Sequence, residues 1–324
     1  MPERLTGSAQ AGLAEALYGI ASSLSDEKSV EIPVFYLQLA LTLDPHHDLA
    51  ISLLADRMET AKRWDDAIAA YRRVPKSSPL YVNARVQISQ DLQKLQRTDE
   101  AIAILRETLS GGPTDFEVLA SIGDLMRAKE SYAEAVDAYT KALALVPKPE
   151  ERHWTIFYTR GIALERIKRW NEAEKDLQLA LKLKPEQPLV MNYLAYTWVE
   201  QGQNMDEALA MLKRAVELRP EDGFVIDSLG WAYFKRGDFV NAIKYLEQAV
   251  LLEPGEATIN DHLGDAYWRF GRKLEAKFEW QHALSLKPDK DLEPGIRHKI
   301  EVGLEGPPPG ARPATEAQGA QRPQ

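Results

Sequence analysis

Eight prolines return along this chain at an almost constant spacing. They are Pro45, Pro79, Pro113, Pro147, Pro185, Pro220, Pro254 and Pro288. Successive members are 34, 34, 34, 38, 35, 34 and 34 residues apart. A period of about 34 residues is typical of two-helix repeats that stack on one another. The spacing therefore predicts an all-α fold, an α-solenoid, over nearly the whole chain.

The clearest copy of the repeat extends over residues 223–256. Gly237 interrupts its helical pattern and Pro254 ends it, so two helices are predicted. Small residues recur on both helices, Gly230 on the first and Ala242 on the second, where they allow close helix–helix contact. Large apolar residues between them are expected to fill the remaining space.

This pattern resembles the tetratricopeptide repeat, whose signature places Leu-Gly, Tyr, Ala, an aromatic residue, Ala and Pro at fixed offsets. The resemblance implies a right-handed superhelix of about eight helix-turn-helix units. The predicted units are 14–47, 48–81, 82–115, 116–149, 154–187, 188–222, 223–256 and 257–290. Residues 1–13 are predicted to be a lead-in, 291–304 a capping helix, and the proline-rich segment 305–324 disordered.

Composition narrows the classes of function. The formal net charge is -9, which disfavours nucleic-acid binding because phosphates require a basic face. The sequence has no cysteine, so disulfides, thiolate metal sites and cysteine nucleophiles are excluded. The N-terminus has no apolar stretch typical of a signal peptide, and direct membrane insertion is not expected. Both the cytoplasm and the periplasm stay open as locations.

Catalytic and cofactor motifs are not evident. The chain has no glycine-rich phosphate loop after a strand and no Gly-x-Ser-x-Gly nucleophile turn. His262 and Asp265 are three residues apart and could share a helix face, but no third metal ligand accompanies them. We therefore predict no catalytic residues, no metal site and no cofactor, and do not expect an enzyme.

The predicted partner-binding groove lies on the first helices of the C-terminal repeats. Positions 2, 5, 9, 12 and 13 of each repeat should line it by helical periodicity. In the first four repeats these positions are mostly small or polar, whereas the later ones carry aromatic rings beside hydrogen-bonding groups, as binding hot spots do. The candidate residues are Tyr158, Asn192, Tyr196, Phe224, Asp227, Trp231, Phe234, Asp261, Asp265, Trp268 and Arg269.

An acidic, aromatic groove would suit an extended peptide with amide and basic groups. The alternative is that the rings pack between neighbouring repeats; for Phe234 and Trp268 the two interpretations are equally favoured. For Trp231 and Tyr196 partner binding is favoured over packing. Self-association, or filling of the groove by the proline-rich tail, also stays open.

Three segments within Met191–Lys287 match a narrower sequence pattern than that of the general repeat. They are Asn192–Trp198, Asp227–Tyr233 and Asn260–Trp268. They resemble long tetratricopeptide proteins of alphaproteobacteria, and that resemblance implies a role in the cell envelope and a periplasmic location. The chain would then correspond to the C-terminal part of a longer exported protein or to a short relative. The function predicted is a non-catalytic scaffold that binds a peptide or partner protein. The alternative is a regulatory or assembly subunit of a cell-envelope enzyme or transport complex.

Overall fold

The computed structural model describes residues 8–24, 30–112, 114–307 and 309, and these residues form helices without a single strand. The helices of residues 8–143 are α1 (Ala9–Ser23), α2 (Glu31–Leu43), α3 (Asp48–Thr60), α4 (Trp64–Tyr71), α5 (Tyr81–Lys94), α6 (Thr98–Ser110), α7 (Phe116–Ala128) and α8 (Tyr132–Leu143). After a short 3-10 turn at Glu151–His153 come α9 (Trp154–Arg166), α10 (Trp170–Leu183), α11 (Pro188–Gln201), α12 (Met205–Leu218), α13 (Gly223–Arg236), α14 (Phe239–Leu252), α15 (Ala257–Phe270), α16 (Lys273–Ser285) and α17 (Glu293–Val302).

The chain divides into two compact units. The first comprises Met1–Glu150 and Thr155–Ala173, and the second comprises Glu151–Trp154 and Glu174–Gln324. Within the first, α1 packs on α2, α3 on α4, α5 on α6 and α7 on α8. Within the second, α11 packs on α12, α13 on α14 and α15 on α16, and α17 packs on α16. Each pair is one helix-turn-helix unit, as expected for an all-α solenoid.

Local sequence signals begin and end these helices. The side chain of Asp222 accepts a hydrogen bond from the backbone N–H of Val225 and so caps α13. Gly237 ends the same helix with φ 84°, in the left-handed region where glycine is favoured. Pro220 and Pro254 follow the ends of α12 and α14 by two residues, because proline cannot continue a helix. Pro113 lies outside the described residues.

The predicted contact between small and large residues is present in three helix pairs. A Cβ atom added to Gly264 would lie 2.5 Å from the indole of Trp280, and one added to Gly230 would lie 2.7 Å from Leu246. Gly123 makes the same close contact with the ring of Tyr139. The glycine on the first helix therefore makes room for the large side chain on the second.

The ends of the chain differ from the sequence-based boundaries. The first helix begins at Ala9, so Ala9–Leu13, predicted as a lead-in, are helical. The capping helix is shorter than predicted, and its Ile296 is buried in the core of the last repeats. Most of the segment 305–324 predicted to be disordered lies outside the described residues. Its first residues are bound to α15, since the carbonyl groups of Glu305 and Gly306 accept hydrogen bonds from Arg269.

Within the residues that the structure describes, every helix is too short or too polar to cross a lipid bilayer.

Candidate functional site

The eleven predicted groove residues are distributed over four first helices. Tyr158 is half-buried on α9, in the unit that contains Thr155–Ala173. The other ten residues belong to the second unit, on α11, α13 and α15. These ten differ widely in exposure, and their contacts decide which of them a partner could reach.

Asp227 is buried and binds a histidine of the next repeat. Its carboxylate oxygens lie 2.9 and 3.1 Å from Nδ1 of His262. The ring of His262 stacks on the indole of Trp231 with centroids 4.0 Å apart. Burial by itself lowers the pKa of His262, but Asp227, Asp261 and Asp265 together raise it above its ordinary value. The sequence places Asp227 on the groove, and in the structure its carboxylate is buried against His262 of α15, the first helix of the next repeat.

Asp261 and Asp265 are also buried, at 3% and 4% exposed. Lys299 of α17 lies 2.8 Å from Asp261 Oδ2 and 2.8 Å from Asp265 Oδ1, and the indole N–H of Trp280 donates to Asp265 Oδ1 at 3.0 Å. Burial raises the pKa of Asp265, and Lys299 partly opposes that rise. Burial lowers the pKa of Lys299, but the two carboxylates raise it overall. Both aspartates, predicted to line the groove, are therefore enclosed by Lys299 of α17 and, for Asp265, by Trp280 of α16.

Trp268 and Arg269 bind the segment that follows α17. Gly303 crosses the indole of Trp268 so closely that a Cβ atom at this position would overlap the ring. The guanidinium of Arg269 donates to the backbone carbonyls of Glu305 at 2.7 Å and Gly306 at 2.8 Å. All four groove residues predicted on α15 thus hold a ligand, but that ligand is the chain's own C-terminal segment.

The two aromatic residues predicted for the groove on α13 after Asp227, Trp231 and Phe234, pack within the chain. Phe234 is buried in the core of the last repeats. Trp231 is half-buried and stacks on Phe234 at 4.7 Å as well as on His262. Its indole N–H donates to Glu200 Oε1 at 2.5 Å, and the ammonium of Lys235 lies 5.2 Å from its ring centroid. Packing between repeats therefore accounts for Phe234 and for most of the surface of Trp231.

The three other predicted residues in the second unit, Phe224, Asn192 and Tyr196, are exposed or half-buried. Phe224 is 51% exposed at the start of α13 and lines an open cleft of about 560 Å³ with Arg219, Pro220, Glu221, Asp222 and Glu253. Asn192 and Tyr196 on α11 are half-buried. The side-chain oxygen of Asn192 is buried without a hydrogen-bond partner among the described residues, which is costly for a polar atom.

Sequence reasoning missed the side chains that engage the groove aspartates. The contacts of Lys299 were not predicted because it lies beyond the eight repeats, and His262 was paired with Asp265 on its own helix rather than with Asp227. One signal was present: Asp227 and Asp261 occupy the fifth position of consecutive repeats, so a shared kind of partner from the following helix could be expected. Among the described residues, no group of three or more His, Asp or Glu side chains is arranged to hold a metal ion.

Sequence profiles described as tetratricopeptide repeat match residues 86–148, 158–223, 225–256 and 257–290. These segments cover more than half of the chain. The chain belongs to the tetratricopeptide-repeat family. Tetratricopeptide repeats indicate a protein–protein interaction scaffold.

Two solved tetratricopeptide-type structures and one curated protein illustrate the similarity. A chain of the APC/C hetero-tetramer Cut9–Hcn1 superposes with a TM-score of 0.62 at 15% identity, over 93% of this chain and 57% of that one. A tetratricopeptide repeat protein of Parabacteroides merdae superposes with a TM-score of 0.55 at 16% identity, over 91% and 100%. Human protein O-mannosyl-transferase TMTC1 is 24% identical over 140 residues, which are 43% of this chain and 15% of that protein. The chain thus spans a small part of its curated relative and just over half of the Cut9–Hcn1 chain.

Proposed function

We propose that this tetratricopeptide protein is a non-catalytic scaffold that binds an extended peptide segment of a partner protein along α11 and α13. The observation that carries the proposal is the exposed ring of Phe224 in its cleft. An aromatic ring that is half exposed contributes little to folding but can become a binding hot spot when a partner covers it.

The surroundings of Phe224 favour a peptide over a flat protein surface. The cleft of about 560 Å³ has room for apolar side chains. Its rim has both basic and acidic side chains, among them Arg219 and Asp222, which form an ion pair at 3.3 Å. Phe224 and Trp231 are seven residues apart on α13 and so lie on the same helix face. The edge of Trp231 that remains exposed extends the apolar surface from the cleft.

Asn192 provides a polar contact that suits a peptide backbone. Its carboxamide can both donate and accept, and its unpaired oxygen would gain a hydrogen bond from a backbone N–H after a small rotation. Tyr196 lies four residues further along α11, on the same face. We expect these two side chains to contact the peptide beyond the portion that fills the cleft.

Two titratable side chains near this surface, those of His262 and Glu200, are engaged within the chain. His262 is held by Asp227, and Glu200 is engaged by Trp231 and by Lys235 at 3.2 Å. A general acid or base would need to meet a substrate, whereas His262 is buried. These contacts favour a role in partner binding over one in catalysis.

The test is a selection of 12-residue peptides from a random displayed library on the immobilised full chain, followed by affinity measurements. Phe224→Ala should weaken selected peptides by about tenfold or more, as expected for a truncated hot spot. Leu251→Ala is the matched control, because Leu251 is 82% exposed on α14 and contributes no groove contact to the proposal. Equal losses for both variants, or none for Phe224→Ala, would refute the proposed site.

A further inference from the structure

The cleft beside Phe224 has more acidic than basic side chains. Its lining includes Glu221, Asp222 and Glu253 but a single basic residue, Arg219. The guanidinium of Arg219 is paired with Asp222, whose other carboxylate oxygen caps α13. Glu221 and Glu253 have no basic partner among the residues that the structure describes. The cleft therefore keeps two carboxylates without a counter-charge.

At the preceding junction between repeats, the corresponding glutamate is neutralised. Glu186 occupies there the place of Glu221, since each directly follows the proline that ends a repeat. Arg214 of α12 donates two hydrogen bonds to the carboxylate of Glu186, at 2.6 and 2.8 Å. The residue of α14 that corresponds to Arg214 is Gln248, 34 positions later. Because glutamine is neutral, the cation that the fold supplies at one junction is missing at the next.

The helix ends around the cleft add to its negative potential. Arg219 directly follows α12 and Glu253 directly follows α14, so the cleft lies at the C-terminal ends of both helices. The carbonyl groups at a helix C-terminus attract cations, and neither helix has a basic residue in its last turn. The N-terminus of α13, which would attract an anion, is already capped by Asp222. Backbone and side chains together favour a cation.

We propose that the cleft receives a basic side chain, lysine or arginine, of the bound peptide. This inference rests on the scaffold function proposed above and specifies the chemistry of its partner. The aliphatic part of the basic side chain would cover the ring of Phe224, which is 51% exposed, and its cationic end would reach Glu221 and Glu253. A cation beside an aromatic ring gains further attraction from the face of that ring.

The preference for a basic partner arises here from other residues than those singled out in the sequence. The acidic groove expected from sequence depended on three aspartates of α13 and α15, and these are buried against other parts of the chain. Glu221 is exposed and Glu253 is half-buried, so a peptide can contact both. Opposite charges at the rim of an interface contribute chiefly to specificity and to the rate of association.

The test uses peptides from the displayed library whose binding is weakened by Phe224→Ala. Synthetic copies with each lysine or arginine replaced by methionine are compared on the full-length wild-type chain by fluorescence anisotropy. We expect one replacement to weaken binding by about tenfold, because it removes contacts with two carboxylates and a ring. From about 0.05 to about 0.5 M sodium chloride, the affinity of the original peptide should fall while that of its methionine copy stays nearly constant.

Variants of the chain localise the effect. Glu221→Gln combined with Glu253→Gln should reduce the tenfold difference between the two peptides to about twofold, as expected when both partners of an interaction are removed. The matched control combines Asp206→Asn with Glu207→Gln. It removes the same number of negative charges from the first turn of α12, about 20 Å along the helix from the cleft, and should leave the difference unchanged. Circular dichroism verifies that all variants keep their helix content.

The outcomes separate this inference from the scaffold proposal. Peptides that depend on Phe224 but bind equally well as methionine copies would overturn the inference and leave the scaffold proposal in place. A tenfold difference that persists in the chain with Glu221→Gln and Glu253→Gln would do the same, because the basic side chain would then bind elsewhere. Absence of any peptide that depends on Phe224 would overturn both.

Discussion

Lys299 Nζ lies 2.8 Å from Asp261 Oδ2, at the repeat position where Asp227 meets His262 one repeat earlier. In repeats 7 and 8 the fifth residue of the first helix is thus an aspartate whose carboxylate contacts a histidine or a lysine further along the chain. In repeat 6 that position holds Asn192, whose oxygen has no partner among the described residues. Asp227 and Asp261 are thus each contacted by a side chain of the same protein, whereas the oxygen of Asn192 meets no donor among the described residues.

The pair of His262 and Asp227 predicts a pH dependence of stability. The pKa of His262 is raised above 6.5 in the folded chain, so its contribution is full below pH 6.5 and is lost as pH rises through the folded-state pKa. Asp227, Asp261 and Asp265 face this ring, and all favour its protonated form. His262→Gln should flatten the fall in unfolding free energy above pH 6.5, measured by urea denaturation at a series of pH values.

Asp91 predicts a second pH effect, of the same sign. It is 3% exposed on α5, and burial, with a smaller contribution from Glu59, raises its pKa to about 7. The equivalent position of the next repeat is Leu125. Because a raised folded-state pKa means that stability is lost as pH rises from 3.8 towards 7, Asp91→Asn should stabilise the chain at pH 8 by roughly 1–3 kcal/mol.

At pH 4 the same Asp91→Asn substitution should have little effect, because the carboxyl is then protonated in the folded state. Asp99→Asn is the control, since Asp99 is exposed and pairs with Lys129 at the surface. A gain that is equal at pH 4 and pH 8 would contradict the assignment of a buried, ionised Asp91. The His262→Gln comparison is best made in the Asp91→Asn background, so that the titration of Asp91 does not contribute to the difference.

Gly264 predicts a large steric effect. Gly264→Ala places a Cβ atom 2.5 Å from the indole of Trp280, so we expect a loss of about 1–3 kcal/mol in unfolding free energy, typical of overpacking. Gly19→Ala is the matched control, because Gly19 also lies within a helix and a Cβ there meets no atom within 4 Å. Alanine at that site should stabilise the chain by about 0.5–1 kcal/mol through its helix propensity. Thermal and chemical denaturation measure both changes, and a stabilising Gly264→Ala would contradict the packing.

In the first unit, we expect loss of the Tyr139 hydroxyl to lower the unfolding free energy less than loss of its ring does. Its hydroxyl donates to Asp124 Oδ1 at 2.7 Å, while its ring packs on Gly123. Tyr139→Phe keeps the ring contact and removes the hydrogen bond, so a loss of about 1 kcal/mol is expected. Tyr139→Ala should cost about 3–5 kcal/mol because the cavity beside Gly123 is not refilled. Similar losses for the two variants would show that the hydroxyl, and not the ring, stabilises this helix pair.

Much of the frame followed from sequence because its determinants are local. A proline ends a helix through its own geometry, as Pro220 and Pro254 do after α12 and α14. Gly230 can face Leu246 only if the two helices approach closely. The groove was harder to predict because periodicity gives the direction of Asp261 but not what meets it. Its partner Lys299 lies 38 residues away, outside the repeating pattern.

Phe224 is 51% exposed at the start of α13. Trp231 has the same helical phase, but the ring of His262 in the next repeat covers it. The difference between the two residues depends on one neighbouring side chain. Helical phase gives the face of α13 on which a residue lies, whereas contacts between repeats determine how far that residue is exposed.

The glycine-to-ring contacts have a consequence for how such a chain can grow. Gly123 and Tyr139, Gly230 and Leu246, and Gly264 and Trp280 are each sixteen residues apart, so both halves of a contact lie within one period. A genetic duplication of any complete period copies a recess together with the side chain that fills it. A recombination point between the two helices of a repeat would place the glycine opposite a side chain of another repeat, and the contact would then be underpacked or overlapping. We therefore expect such arrays to gain or lose whole helix pairs.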